Sequence, residues 1–273
     1  MYTPLAVFVS VVLAAVVAAC GSQSGDPPSD AQPDAPREVR VVTSGGLAAA
    51  YDRLAPRFQD ASGIMLVTAY GASGGGAPDS IPARLERGER FDLLIMSEGG
   101  LLALIDRGLV QADTRVDLAT SGIGVAVRAG APLPDVSTPE AFARTLLAAQ
   151  SIGYSASVSG TYMSTDLLPS LGLWEQLEPK SRRIESERVA AVVARGEVEI
   201  GFQQISEILS IEGAAFAGPI PAEYQLVTTF SAGIMTQARN PAGAQRLIDF
   251  LASAEAAATV AESGLEPLAA AGG

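Results

Sequence analysis

From Glu38 onward, short apolar runs alternate with segments whose apolar residues recur every three or four positions. The runs predict buried strands and the segments predict amphipathic helices. "EVRVVTSGG" is a strand ending in a glycine turn. Leu47, Tyr51, Leu54 and Phe58 then share one helix face, which Pro56 should kink. "IMLVTAY" and "FDLLIMS" predict the next strands; "SIPARLERG" and "GLLALIDRG" predict helices stopped at Gly88 and Gly108. The pattern restarts near Ser121 with "GIGVAVRAG". Ser137 and Glu140 have capping-box spacing at the head of "TPEAFARTLLAA". "SIGYS", "RRIES" and "EIGFQQ" predict strands. "GTYMSTDLLPSLG" is a helix ending near Pro169, and "ERVAAVVARG" is one with Val189, Val192 and Val193 on one side. A long strand, "YQLVTTFSAGIM", precedes a helix with Asn240 as cap and Pro241 as first residue, carrying Leu247, Ile248 and Leu251. An alanine-rich helix follows. Such alternation predicts an α/β fold, mostly parallel sheets with helices on their faces. No repeat of fixed period is visible.

One theme recurs where strands meet helices: small hydroxyl or glycine residues at Thr43–Gly46, Ser73–Gly76, Ser97–Gly100, Ser157–Thr161 and Ser186. The densest case is "TAYGASGGGAPDSIPARL", Thr68 to Leu85. Helix N-termini present unpaired N–H groups that favour an anion, and in open α/β sheets ligands bind beyond the strands' carboxyl ends. Simple capping would give the same residues at any one junction; their repetition predicts an anion site, with the glycine run as one wall.

Composition narrows the chemistry. The chain has 273 residues, no histidine and a formal charge of −12, which argues against a nucleic-acid partner. Without histidine there is no Ser-His-Asp or Cys-His nucleophile and no His-ligated metal; no cofactor is expected. Cys20 is the one cysteine, so no intrachain disulfide forms. It closes "PLAVFVSVVLAAVVAAC", a run that reads as a signal peptide over residues 1–19. The "VAAC" ending resembles a bacterial lipoprotein box, which implies lipidation of Cys20 and a membrane-anchored, extracytoplasmic protein; the usual Lys or Arg before the apolar run is missing. Residues 20–37, rich in Pro, Ser, Asp and Gly, read as a disordered tether.

The order of segments resembles the periplasmic solute-binding proteins of ABC importers, and among them the molybdate-binding family. "VVTSGGL", "YGASGG", "RFDLLIMSE" and "RGEVEIGFQQISE" match in order. The most specific match is "SVSGTYMSTDLLPSLGLWEQLEPK", through Gly160, Tyr162, Leu168, Gly172, Trp174, Leu177, Pro179 and Lys180. The resemblance implies a two-lobed periplasmic-binding-protein fold of type II with two hinge crossovers. One lobe is residues 38–120 plus 226–273, the other 121–225. It implies a monomer that captures a molybdate- or tungstate-like oxyanion through hydroxyl and N–H donors and passes it to a membrane permease and ATPase. Neutral fixed dipoles can replace the water shell of a buried dianion.

The resemblance carries site roles onto Ser73 in the second loop, onto Gly46 with Ser44 two residues earlier in the first, onto Ser159 and Ser186 as further donors, and onto Gln204 in place of a ligand tyrosine. Gly46 has lost a hydroxyl, and an amide at Gln204 both donates and accepts. Both departures leave room for a ligand other than molybdate. A small organic acid would invite an arginine, and Arg84 and Arg188 follow site-like junctions. An enzyme would need an acid–base group; Asp79, Asp92, Glu98 and Glu207 lie near junctions, but no spacing pairs them, so the expectation is a non-enzymatic receptor. Trp174 is expected in packing. Tyr162 is either core or ligand-facing.

Overall fold

The computed structural model describes residues 37–74 and 76–268. The signal peptide, Cys20, nearly all of the tether and Gly75 lie outside the described residues, as does the end of the chain from residue 269. The first lobe opens with β1 (Glu38–Thr43), α1 (Gly45–Ser62), β2 (Met65–Tyr70), α2 (Ile81–Glu86), β3 (Leu93–Ser97), α3 (Glu98–Asp106) and β4 (Val116–Ser121). The second lobe holds β5 (Ile123–Arg128), α4 (Pro139–Ala148), β6 (Ile152–Ser155), α5 (Val158–Thr161), α6 (Leu168–Ser170), α7 (Trp174–Leu177), β7 (Ser181–Ile184), α8 (Val189–Ala194), β8 (Ile200–Gln204), α9 (Ile205–Leu209) and β9 (Ala214–Pro219). The chain then returns with β10 (Thr228–Ile234), α10 (Pro241–Leu251), α11 (Ala254–Glu262) and β11 (Glu266–Pro267).

Each lobe is built on one sheet, ordered β11-β4-β10-β3-β1-β2 and β7-β6-β8-β5-β9. Parallel pairing is confined to β2-β1-β3 and β7-β6-β8. The strands delivered by the crossovers, β10 and β5, pair antiparallel with their neighbours. The sheets are therefore mixed rather than mostly parallel, because a strand that arrives from the other lobe enters against the local βαβ direction.

Burial follows the apolar pattern. Leu47, Tyr51, Leu54 and Phe58 of α1 pack into the first core with β1, β3, β10 and α10. Pro56 sits inside α1 without ending it. The second lobe has its own core around Phe142, Ile152, Met163 and Phe202. Trp174 packs edge-on against Tyr154, as expected of a packing residue. The Tyr162 hydroxyl donates to the Tyr224 carbonyl at 2.9 Å, so it braces the return crossover. At α4 the cap is Thr138, which accepts from Ala141 N–H; Ser137 instead bonds Asp135. Pro139 sets the first helical position, so the cap falls one residue later than the capping-box spacing suggests.

The two crossovers touch. The Gln225 side-chain amide accepts from Ile123 N–H at 2.6 Å and donates to Ile123 C=O at 3.0 Å. This mimics one rung of a β-ladder and ties the outgoing strand to the returning one.

Candidate functional site

A cavity of about 210 Å³ lies between the lobes, at the carboxyl ends of β1, β2, β3, β6 and β8. From the first lobe come Ser44, Gly45, Gly46, Ser73 and Ser97; from the second, Ser155, Ser157, Ser159, Arg188, Gln203 and Glu207.

The hydroxyls there behave unlike ordinary helix caps. Ser80, Thr138, Asn240 and Ser253 spend their side-chain oxygen on their own helix. None of them lines the cavity. Ser44 and Ser97 cap α1 and α3 without a side-chain bond. Their hydroxyls are buried and have no partner among the described residues. A buried hydroxyl without a partner costs roughly 1–3 kcal/mol, which a ligand would recover. Ser73 accepts from Ser97 N–H at 2.8 Å, leaving its own proton to donate. Across the cavity, Ser155, Ser157 and Ser159 form a hydroxyl cluster with separations of 2.7, 3.3 and 3.4 Å.

The glycines of the first loop serve close approach. A Cβ on Gly46 would fall 2.0 Å from the Phe230 ring, and one on Gly45 would fall 2.0 Å from Glu207 Oε1. A serine side chain at position 46 is thus sterically excluded, and Ser44 supplies the loop's hydroxyl. Gly71 begins the glycine run for a similar reason: its Cβ would meet the Asp79 carbonyl at 2.3 Å.

Glu207 is the distinctive group. It heads into the cavity from α9 and is 9% exposed. Burial pushes its carboxyl up to about 7; Arg188, the Gln203 side chain and the Gln204 N–H oppose that rise. Arg188 lines the same cavity, donates to Ser210 at 3.1 Å, and has no ion pair among the described residues. The rim carboxylates are occupied: Asp79 accepts from Ser186, Glu185 pairs with Arg183, and Glu187 with Arg195.

The other expected residues fall as follows. Ser186 lines the mouth and bridges the lobes to Asp79 at 3.0 Å. Gln204 is in the wall, but its amide is engaged at the crossover with Thr228, Ser121 and Gly122. Arg84 is outside the cavity, bonded to the Asp79 carbonyl and Glu89. Asp92 accepts from the N–H groups of Arg40, Arg239 and Asn240, so it anchors the head of α10. Glu98 pairs with Arg115. Of the acid–base candidates, only Glu207 and Asp79 reach the cavity. Gln203 and Ser155 were missed. Each is the inward residue of a strand end, a position that the apolar pattern marks as buried but not as polar contact.

The family described as bacterial extracellular solute-binding protein matches residues 39–266. The chain belongs to this family. Membership makes it an extracytoplasmic solute-binding protein with a small ligand and an ABC importer as partner. The fold is also that of solved relatives. The periplasmic molybdate-binding protein of Azotobacter vinelandii superposes with a TM-score of 0.68 at 20% identity, over 83% of this chain and 98% of that one. The sulfate-binding protein SubI of Mycobacterium tuberculosis superposes with 0.68 at 17% identity, over 85% and 87%. A nearer relative in sequence is a Pseudomonas protein named aconitate isomerase. It is 42% identical over 230 residues, covering 84% of this chain and 88% of that protein. This family member therefore has a relative named for chemistry rather than capture.

Proposed function

We propose that the interlobe cleft binds aconitate, an unsaturated tricarboxylate, and interconverts its isomers with Glu207 as the proton carrier. The observation that carries this reading is Glu207 itself: a carboxyl buried in a ligand-sized cavity, pushed up to about 7 by that burial, beside an arginine with no ion pair among the described residues. A receptor for a bare oxyanion gains nothing from a carboxylate in its wall. A proton-transfer enzyme needs a group whose pKa lies near the working pH. The 42% identical isomerase relative supports the same substrate class.

The chemistry is a proton shift along three carbons. Glu207 takes a proton from the methylene carbon, and the C–H electron pair becomes a new double bond. The pair of the old double bond takes a proton back from Glu207 at the far carbon. The skeleton reads the same from both ends, so the product is again aconitate. Its cis or trans geometry is set by how the chain lies in the cleft. During the shift, negative charge moves onto the two terminal carboxylates. Arg188 would hold one, and the free hydroxyls of Ser44, Ser73 and Ser97 the other, each a fixed donor aimed where charge develops.

A second reading is capture of an oxyanion such as molybdate or sulfate, with no turnover. The unpartnered hydroxyls of Ser44 and Ser97 favour it, since neutral donors suit such an ion. One panel separates the two. The full chain is melted with cis- and trans-aconitate, molybdate, tungstate and sulfate, and the spent aconitate is analysed by chromatography. A ligand at about a hundred times its Kd adds about 2.7 kcal/mol. Stabilisation by aconitate with appearance of the other isomer supports the first reading. Stabilisation by molybdate alone, with aconitate unchanged, replaces it by the second.

A further inference from the structure

The proton shift leaves unused the hydroxyls at one turn of the second lobe. Ser155 ends β6, Ser157 caps α5 without spending its side chain on that helix, and Ser159 follows within the helix. All three line the cavity, and Ser155 and Ser159 are buried at 6% and 1% exposure. The turn is tight: a Cβ on Gly160 would fall 1.7 Å from the Ser155 carbonyl, so a glycine is needed for the chain to fold back over the strand end. Ala156 N–H donates to the Ile184 carbonyl at 2.8 Å, and Thr161 N–H to the Ser157 carbonyl at 2.9 Å, which holds the turn on both sides. Each hydroxyl carries one proton. The Ser155 and Ser157 oxygens are 2.7 Å apart, a full hydrogen bond that uses one of the three protons. The contacts to Ser159, at 3.3 and 3.4 Å, are longer than a good bond between hydroxyls. Two protons are therefore only weakly engaged and can turn to a ligand. From Ile152 to Thr161 the chain carries no charged residue, so the turn offers donors without a counter-ion.

We propose that the hydroxyls of Ser155, Ser157 and Ser159 seat the central carboxylate of aconitate and make the cleft selective for a tricarboxylate over a dicarboxylate of the same chain length. This rests on the reading of the cleft as an aconitate site. That reading gives one terminal carboxylate to Arg188 and the other to Ser44, Ser73 and Ser97; the central carboxylate falls to the donors that remain, across the cavity from the first lobe's hydroxyls. Its needs differ from theirs. When the methylene proton leaves, negative charge spreads over the two outer carbons of the reacting unit and their carboxylates, while the middle carbon gains none. A seat for the central carboxylate therefore holds substrate and transition state about equally, and acts on KM more than on kcat. Neutral hydroxyls suit that task, because they leave the guanidinium to a carboxylate whose charge grows.

The test compares two saturated acids that cannot react: tricarballylate, which keeps the central carboxylate, and glutarate, the same chain without it. Both are titrated calorimetrically into the full wild-type chain and into S155A/S157A. The wild type should bind tricarballylate at least about tenfold more tightly than glutarate, the effect of a hydrogen bond to a charged group. In the variant that preference should fall to near one, through loss of tricarballylate affinity with glutarate held within about threefold. In parallel, the variant's KM for aconitate should rise about tenfold, with kcat changed less than about threefold. An unchanged preference, or equal losses for the two acids, would overturn the proposal and leave the cluster as a support of the turn. A kcat that falls as far as kcat/KM would overturn it too, by placing these hydroxyls on a carboxylate that gains charge. If the double variant does not fold, S157A, which alters the least buried of the three, is read by the same preference. Should the wild type bind tricarballylate but leave aconitate unconverted, the proposed activity fails while the calorimetry still decides the seat; a wild type that binds neither acid overturns both.

Discussion

The two lobes share a strand order and differ in chemistry. In each, three parallel strands end at the cleft, and a crossover strand inserts antiparallel beside them. The first lobe offers hydroxyls with free valence, from Ser44 after β1 and Ser97 at the end of β3, and after Ser44 two glycines, Gly45 and Gly46, where a side chain would clash. The second offers a guanidinium, a buried carboxyl and a hydroxyl cluster bonded within itself. One topology thus supplies a fixed cradle on one side and a titratable wall on the other. The difference lies in single residues at strand ends and helix starts, the positions that a fold leaves free to vary.

Removing the wall's chemistry should show the largest effect. E207Q keeps the shape of the carboxyl and loses its proton exchange; aconitate turnover should fall by about 10²–10⁴, with binding retained by thermal shift. R188A should weaken aconitate binding by about 10–100-fold in calorimetry, the value of a charge-assisted pair. Equal losses of molybdate binding would mean that Arg188 serves any anion and that the lobes are less specialised than argued.

Stability against pH sharpens the same contrast. The Glu207 carboxyl titrates near 4.5 in the unfolded chain and at about 7 in the folded one. Between those values the folded chain holds a proton that the unfolded chain has lost. Stability therefore falls as pH rises from 4.5 to 7, and the full penalty stands above 7. E207Q should match the wild type in thermal melts near pH 4 and exceed it by on the order of 3 kcal/mol at pH 8. On the cradle side, G46A drives a methyl into the Phe230 ring and should cost about 1–3 kcal/mol in denaturant unfolding. The smallest effect belongs to S44A. It removes an unpaired buried hydroxyl, so the free protein should hold or gain slightly in stability, while aconitate affinity falls about tenfold.

Much of the fold was legible in the sequence because burial writes itself as period. The α1 face and the Val189, Val192 and Val193 stripe are buried as read. Strand direction leaves no such mark, so the antiparallel entry of β5 and β10 was not visible. The cleft was legible at its recurring Ser and Gly junctions, which lie at strand ends. What could not be read was which polar residues were already spent. Gln204 and Asp92 look like free groups in a sequence, yet crossover contacts and the head of α10 consume them. Such partners lie 24 and more than 140 residues away. Conversely, Glu207 was one of four acidic candidates with nothing in its neighbours to single it out. Its distinction is burial against Gly45, a contact made across the two lobes.

The most direct test of the central claim is incubation of the full chain with trans-aconitate in deuterium oxide, followed by proton NMR. Cis-aconitate should appear, and deuterium should enter the methylene and vinylic carbons, the two that trade the proton, since the proton lost to Glu207 exchanges with solvent before it returns. E207Q should do neither. Aconitate left unchanged in geometry and unlabelled by the wild-type chain would contradict the account and leave a receptor whose cleft performs no chemistry.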